Sequence, residues 1–292
     1  MKILNIFNGI IKFYIYRNLR GMIMEFITFK VICIFLFLML MTSIEVLGYG
    51  VRLVGAKLAL VASAFAIYNI MSLIARFSNM FQQPFTASLV DSAAKNGGLE
   101  LLIKQFRFLL LGSTMGVILG GLLVPFFMKV FSKALVPLSK DGSFINMFKL
   151  INRTNLKRMK SYFVLINKNN LEGVNFKNVS VKLFVINTIV SAVFTVGVMS
   201  ALYATLLIPD YDRAAMSSSN IITGVATILL TLLIDPKLSF LTDKVVQDNH
   251  NYWELKNFTF MILISRFLGT LVAQIILVPG AYYIAWFAKF IS

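Results

Sequence analysis

The chain has 292 residues, 58% of them apolar and only 14% charged, with a mean hydropathy of +0.81 and a formal charge of +16. That balance excludes an ordinary soluble globule and points to an integral membrane protein. The excess of Lys and Arg lies between apolar runs, where it reports membrane orientation and attraction to anionic lipid instead of nucleic-acid binding.

Residues 1–30 alternate Lys2, Lys12, Arg17, Arg20 and Lys30 with Ile, Phe and Tyr, without the small-residue cleavage site of a secretory signal. They read either as a basic amphipathic helix at the interface or as an extension upstream of a start at Met22 or Met24. Residues 31–49 form the first span, interrupted by Glu45 and followed by Arg52 and Lys57 in a loop; Cys33, the single cysteine, is a packing residue here. Residues 58–82 form the second, which carries Arg76 and is halted by Pro84, because proline removes a helical hydrogen bond and restricts the residue before it. A polar loop with Asp91, Lys95, Glu100 and Lys104 leads to the third span, 108–128, uncharged over about 20 residues, the length that crosses the ~30 Å hydrocarbon core.

A basic segment at 129–182 follows, and then a fourth span at 183–208, ended by Pro209 and an acidic turn at Asp210 and Asp212. The fifth span, 214–234, ends at Asp235-Pro236, and a loop with Lys237, Asp243, Lys244, Asp248, His250 and Lys256 leads to the sixth, 258–287, whose one charge is Arg266. His250 reads as a solvated loop residue.

Two halves of this chain align with an offset of 152 to 154 residues. Tyr49 meets Tyr203, Pro84 meets Pro236, Leu89 meets Leu241, Asp91 meets Asp243 and Pro125 meets Pro279, so four of the six prolines pair. The third span carries Gly112, Gly116 and Gly120 at four-residue spacing, and the sixth carries Ser265, Gly269 and Ala273 at the matching place. Such small-residue faces let helices approach closely; packing within one chain is the simpler reading, and a homodimer seam is the alternative. Three spans per half force the second half to enter the membrane upside down. The expected fold is therefore all-α and polytopic, six transmembrane helices as two inverted three-helix repeats: extension 1–30, first repeat 31–131, basic linker 132–182 and second repeat 183–292. With the linker in the cytoplasm, the 52–57 and 237–256 loops fall inside and the 91–104 and 210–212 loops outside, as the positive-inside rule requires; the basic N-terminus alone disagrees. Inverted repeats with proline-broken helices are common in alternating-access transporters, whose substrate site lies near the midplane.

Placing an Arg or Asp at the bilayer centre costs at least ~2.5–3.5 kcal/mol. Glu45, Arg76 and Arg266 are therefore expected to face a polar cavity, with snorkelling or a structural ion pair as the plain alternative. Asn69, Ser72, Ser78, Asn79, Gln82 and Gln83 add a polar stripe to the second span. Fixed guanidinium groups beside neutral donors suit an anionic substrate, phosphate above all. The candidate substrate-binding set is Arg76, Arg266, Glu45, Asn69, Asn79, Arg52 and Arg107; Arg52 and Arg107 stand at helix ends, where snorkelling also accounts for them. Pro84, Asp91, Pro236 and Asp243 are candidate hinge or gate residues, or simple helix terminators. No GxxxxGK[ST] nucleotide loop and no DDxxD-like aspartate cluster is present, and one histidine leaves little for acid–base chemistry, so no enzyme, cofactor or metal is read.

The strings YGVRLVGAKLALVASAF, RFSNMFQQPF, IDPKLSFLTD and SRFLGTLVAQIILVPGAYYI resemble the Amj family of bacterial lipid II flippases, over residues 31–131 and 183–288. The basic extension and the long central loop depart from that family's pattern. The resemblance implies a multi-pass protein of the bacterial cytoplasmic membrane that moves lipid II, the undecaprenyl-pyrophosphate-linked peptidoglycan precursor, to the outer leaflet; it carries over no site residue. Membrane lipids are the other expected partners. A flippase for another polyprenyl-phosphate lipid and a non-transporting scaffold of cell-wall synthesis stay open. An open charged cavity favours transport, and a solid core with Glu45 locked to an Arg favours the scaffold.

Overall fold

The computed structural model describes residues 26–141 and 180–292, and its regular elements are all helical. The N-terminal extension before residue 26 and the linker from 142 to 179 lie outside the described residues. α1 (Phe29–Lys57), α2 (Val61–Asn96) and α3 (Leu99–Asp141) form the first half. α4 (Val181–Leu207), α5 (Asp212–Leu233), α6 (Asp235–Gln247) and α7 (Tyr252–Ile291) form the second, with short 3-10 turns at Pro209–Tyr211 and Asn249–Asn251. Six segments are long and apolar enough to cross a membrane: α1, α2, α3, α4, the run through α5 and α6, and α7.

The helices are longer than the apolar runs suggest, and three expected loops become mostly helix. α1 continues through Arg52 to Lys57; its 29 residues span about 43 Å at 1.5 Å per residue, enough to reach the headgroup layers. Lys and Arg are good helix formers, so charge marks where the chain meets the interface and not where the helix ends. α2 is not halted by Pro84 but runs on past Asp91 and Lys95 to Gly97, whose left-handed φ of 67° closes it. Two residues past the proline, Thr86 Oγ1 donates to the Gln82 carbonyl at 3.0 Å and lies 2.7 Å from Gln82 Oε1, while the carbonyl that Pro84 leaves without a helical N–H is that of Met80. Glu100 and Lys104 fall in the first turns of α3, bridged at 2.7 Å. The expected 237–256 loop is mostly α6, with Pro236 in its first turn, where a missing N–H is harmless. What remains of it is a turn in which exposed His250 sits 2.9 Å from Asp248 and holds that carboxyl below the usual carboxylate range through its backbone N–H and ring.

Within the first half α1 packs on both α2 and α3; within the second α4 packs on both α5 and α7. The glycine face of α3 is spent on α1. A Cβ at Gly112, Gly116 or Gly120 would collide with Phe35, with Thr42 and the Met39 backbone, or with Val46 and the Ser43 carbonyl. Contact at that range lets Thr42 and Ser43 donate across the seam to the Ser113 and Gly116 carbonyls, at 3.1 and 2.9 Å. Gly269 of α7 likewise meets Ser191 and the Thr188 carbonyl of α4, and Ser200 donates to the Leu277 carbonyl at 2.9 Å. Both small-residue faces thus serve packing within the chain.

Two apolar clusters sit at opposite ends of the bundle. One gathers Val31, Ile34 and Leu38 of α1 with Phe106, Leu109, Leu202, Ile208 and Ile284. The other gathers Tyr49 and Leu53 of α1 with Leu238, Leu241, Leu255 and Phe258. α2 and the α5–α6 run are the least buried spans.

Candidate functional site

Between those clusters lies a cavity of about 770 Å³ walled by α1, α2, α4 and α5, with Asp235 of α6 and Arg266 of α7 contributing. Helical periodicity explains why it is polar. Asn69, Ser72, Arg76, Asn79 and Gln83 recur every three or four residues and so share one face of α2. Asn220, Thr223, Thr227 and Thr231 do the same on α5. Neither stripe can face hydrocarbon without cost, and each faces the cavity instead.

Charges sit at its base. Glu45 stands near the middle of α1, not a turn inside an end, because α1 extends to Lys57. It pairs with Arg266, and both side chains are mostly buried. One and two turns on, Tyr49 and Arg52 line the same wall. Arg52 is buried within the helix, not snorkelling from its end: it bonds Asp235 at 3.1 Å and lies 4.1 Å from the Tyr68 ring centroid and 6.0 Å from that of Phe65. One guanidinium therefore ties α1, α2 and the start of α6 together. Arg76 differs from both. It is exposed to the cavity, and among the described residues no carboxylate or hydrogen-bond partner engages it.

Three guanidinium groups thus face two carboxylates, leaving the cavity one cation in surplus, and the surplus is Arg76. Arg266 and Arg52 have partners that an incoming anion has to displace. The arrangement can capture a phosphate-type anion at Arg76 first and present further bidentate donors as the ion pairs open.

Six of the seven candidate binding residues line this cavity: Arg76, Arg266, Glu45, Asn69, Asn79 and Arg52. Arg107 does not; it is exposed on α3, its backbone carbonyl accepting from Gln274 Nε2 at 3.0 Å. Gln82 lines the cavity and donates to Asn79 Oδ1 at 3.0 Å, while Ser78 turns inward and bonds the Ile74 carbonyl at 3.1 Å. The hinge candidates are not gathered together. Pro84 and Asp91 flank Leu89 and Val90 of the first apolar cluster, whereas Pro236 and Asp243 belong to the stretch that packs into the second. Asp243 and Arg52 also line a separate small cavity of about 50 Å³.

Sequence reasoning missed the cavity roles of Tyr49, Tyr68, Asp235 and the α5 threonines. The signal for the threonines was available: Asn220, Thr223, Thr227 and Thr231 have the three-and-four spacing that singled out the α2 stripe. Asp235 was masked by its proline neighbour, which makes it read as a terminator.

A model of the protein family Amj, described as "Alternate to MurJ", matches residues 37–288 of this chain. The chain is 43% identical over 268 residues to a protein of Bacillus subtilis (strain 168) named lipid II flippase Amj, a match covering 91% of this chain and 99% of that one. No solved structure matches.

Proposed function

Because the chain belongs to the Amj family, we propose that it is a lipid II flippase of the bacterial cytoplasmic membrane, a transporter and not an enzyme. The observation that carries this beyond kinship is a cavity of about 770 Å³ at mid-depth in the bundle, with the unpaired Arg76 in its wall. Its volume falls among pockets that hold drug-sized ligands, about 300–1,000 Å³. It accommodates a pyrophosphate and the adjoining sugar, and the rest of a large headgroup requires the walls to part.

The mechanism is alternating access by two inverted repeats. Three features support it. α1 runs parallel to α3, as Phe35 meets Gly112 and Val46 meets Gly120; α4 runs parallel to α7, as Ser191 meets Gly269 and Ser200 meets Gly280. α1 and α7 run oppositely, since Glu45 meets Arg266 while Tyr49 and Leu53 pack with Phe258 and Leu255. The cross-half ion pairs, Glu45 to Arg266 and Arg52 to Asp235, are the contacts a rocking motion would exchange for contacts to phosphate. With the basic linker in the cytoplasm, the anion moves outward down an inside-negative potential worth about 2.3 kcal/mol per charge per 100 mV, a field that can assist transport without ATP.

The scaffold reading draws on one observation, the locked Glu45–Arg266 pair. That pair lies in the wall of an open polar cavity and not in a solid core, which favours transport. The test is complementation in cells lacking other lipid II flippases. Arg76→Ala and Arg266→Ala are each expected to abolish growth while the protein stays in the membrane. Arg76→Lys is expected to fall between, since an ammonium keeps the charge and loses the bidentate fork. Full activity in both Ala variants sinks the Arg-cavity account, and a substrate assay with undecaprenyl phosphate separates the other polyprenyl-lipid reading.

A further inference from the structure

The walls of the cavity pose a problem that the headgroup site alone leaves unsolved. α2 packs on α1, and α5 packs on α4, yet α2 and α5 barely touch each other although their polar stripes look across the same space. The polar cavity is therefore bounded on this side by a seam and not by packed helices. In a bilayer such a seam opens onto lipid tails.

The outer faces of the two helices match that setting. Directly beside the α2 stripe, Leu73, Phe77 and Met80 are exposed; beside the α5 stripe, Ile221 and Val225 are exposed, and Ile228, also exposed, stands at the cavity's edge. Arg76 and Phe77 are consecutive, so one turn of α2 offers a cation to the cavity and an aromatic ring to the bilayer. Gly224 sharpens the picture. It lines the cavity on α5, and a Cβ there would meet nothing within 4 Å, so no close helix contact accounts for it. A glycine inside a helix costs about 1 kcal/mol relative to alanine, and here it leaves the wall thin where the seam runs.

A soluble anion needs the guanidinium but no lateral seam; an ordinary apolar ligand needs the seam but no guanidinium. Only an amphiphile with an anionic head and an apolar chain uses both. An apolar groove of about 410 Å³ between α1, α3 and α7 makes the contrast, because it shares only Tyr49 with the charged cavity and includes none of its arginines.

Resting on the flippase reading, we propose that the α2–α5 seam is the lateral portal of the transporter. The polyprenyl chain of the substrate lies along Leu73, Phe77 and Met80 of α2 and Ile221, Val225 and Ile228 of α5 while its pyrophosphate engages Arg76. The chain never leaves the bilayer, and the seam widens to pass the headgroup.

The experiment uses the full chain, with Cys33→Ala, in proteoliposomes containing lipid II. Ser72→Cys and Thr227→Cys are combined and bridged by a bis-maleimide with an internal disulfide. Flipping is measured before bridging, after bridging and after reductive cleavage, with a monofunctional maleimide of similar size as the control. Bridging is expected to slow flipping at least about tenfold, and cleavage to restore it, because a tethered gate cannot open. In parallel, a lipid II analogue with a benzophenone in its polyprenyl chain is expected to label α2 and α5 peptides, with unlabelled lipid II competing. Undiminished flipping by the bridged protein, or labelling centred on the α3–α7 groove, overturns the portal and leaves the flippase reading standing. Absence of lipid II flipping by the native chain in the same proteoliposomes overturns that reading and the portal with it; should the cysteine pair, which lies in the cavity wall, itself slow flipping, the benzophenone labelling of the native chain decides the portal.

Discussion

Tyr49 and Tyr203 stand at matching places in the two halves, but their surroundings differ. At the end of the bundle near Tyr49, α1 presents Glu45 and Arg52 to the other half, paired with Arg266 and Asp235. The corresponding positions of α4, at the same offset, are Met199 and Leu206, and Tyr203 sits in the large apolar cluster. The prolines part company in the same way: Pro84 lies inside one continuous helix, while Pro236 starts a new helix just after Asp235. One end of the bundle thus combines its apolar cluster with exchangeable ion pairs next to a backbone break, and the other has packed apolar side chains alone over an unbroken helix. Among the described residues, only the ion-paired end offers contacts for which an anionic substrate can compete, so that end is the one proposed to respond to substrate.

The comparison breaks most severely at Glu45. Glu45→Gln leaves Arg266 mostly buried without its carboxylate, and removing one partner of a buried pair costs about 3–5 kcal/mol. Thermal unfolding in detergent is expected to show a large drop in Tm. The double variant Glu45→Gln with Arg266→Met is expected to recover much of the stability but not complementation, which separates the pair's structural role from its role in transport. Next comes the helix seam common to both halves: Gly116→Val drives a branched side chain into Thr42 and the Met39 backbone, with an overpacking cost of about 1–3 kcal/mol, read as lower Tm and lower yield.

Asp235→Asn releases Arg52 from the break between α5 and α6. Arg52 is left mostly buried without its carboxylate, but the exposed position of Asp235 lets water and the new amide oxygen replace part of what is lost, so the expected stability loss is about 1–3 kcal/mol, read as a lower Tm. Smallest of all is Pro84→Ala. The helix is already continuous there, so the substitution restores an N–H and is expected to leave Tm unchanged or slightly raised; a clear fall in flipping at unchanged Tm would mark Pro84 as a hinge.

The number and order of the spans could be read from hydropathy, and the α5–α6 break from Asp235-Pro236. The loops could not. Arg52, Asp91 and Asp243 cluster with other charges and so look like loop residues, but helices in a bilayer run on into the headgroup layer and carry their charges with them. The cavity was half visible: Asn69, Arg76 and Asn79 share a helical face by spacing alone, which is a local property. The partners of Arg52 and Arg266 come from the opposite half, 183 and 221 residues away in sequence, and no local pattern encodes such pairing. Arg107 shows the converse, a cation that resembles Arg52 in sequence but whose face of α3 points away from the cavity.

The most direct test of the central claim is the amount of lipid II exposed at the outer leaflet of cells in which this protein is the sole candidate flippase, compared with cells carrying Arg76→Ala at equal membrane levels. Outer-leaflet lipid II is expected with the native chain, and a loss of about tenfold or more with the variant, as follows from removing a charged hydrogen-bond donor worth about 1.5–3 kcal/mol. Equal outer-leaflet lipid II in the two strains would contradict the claim.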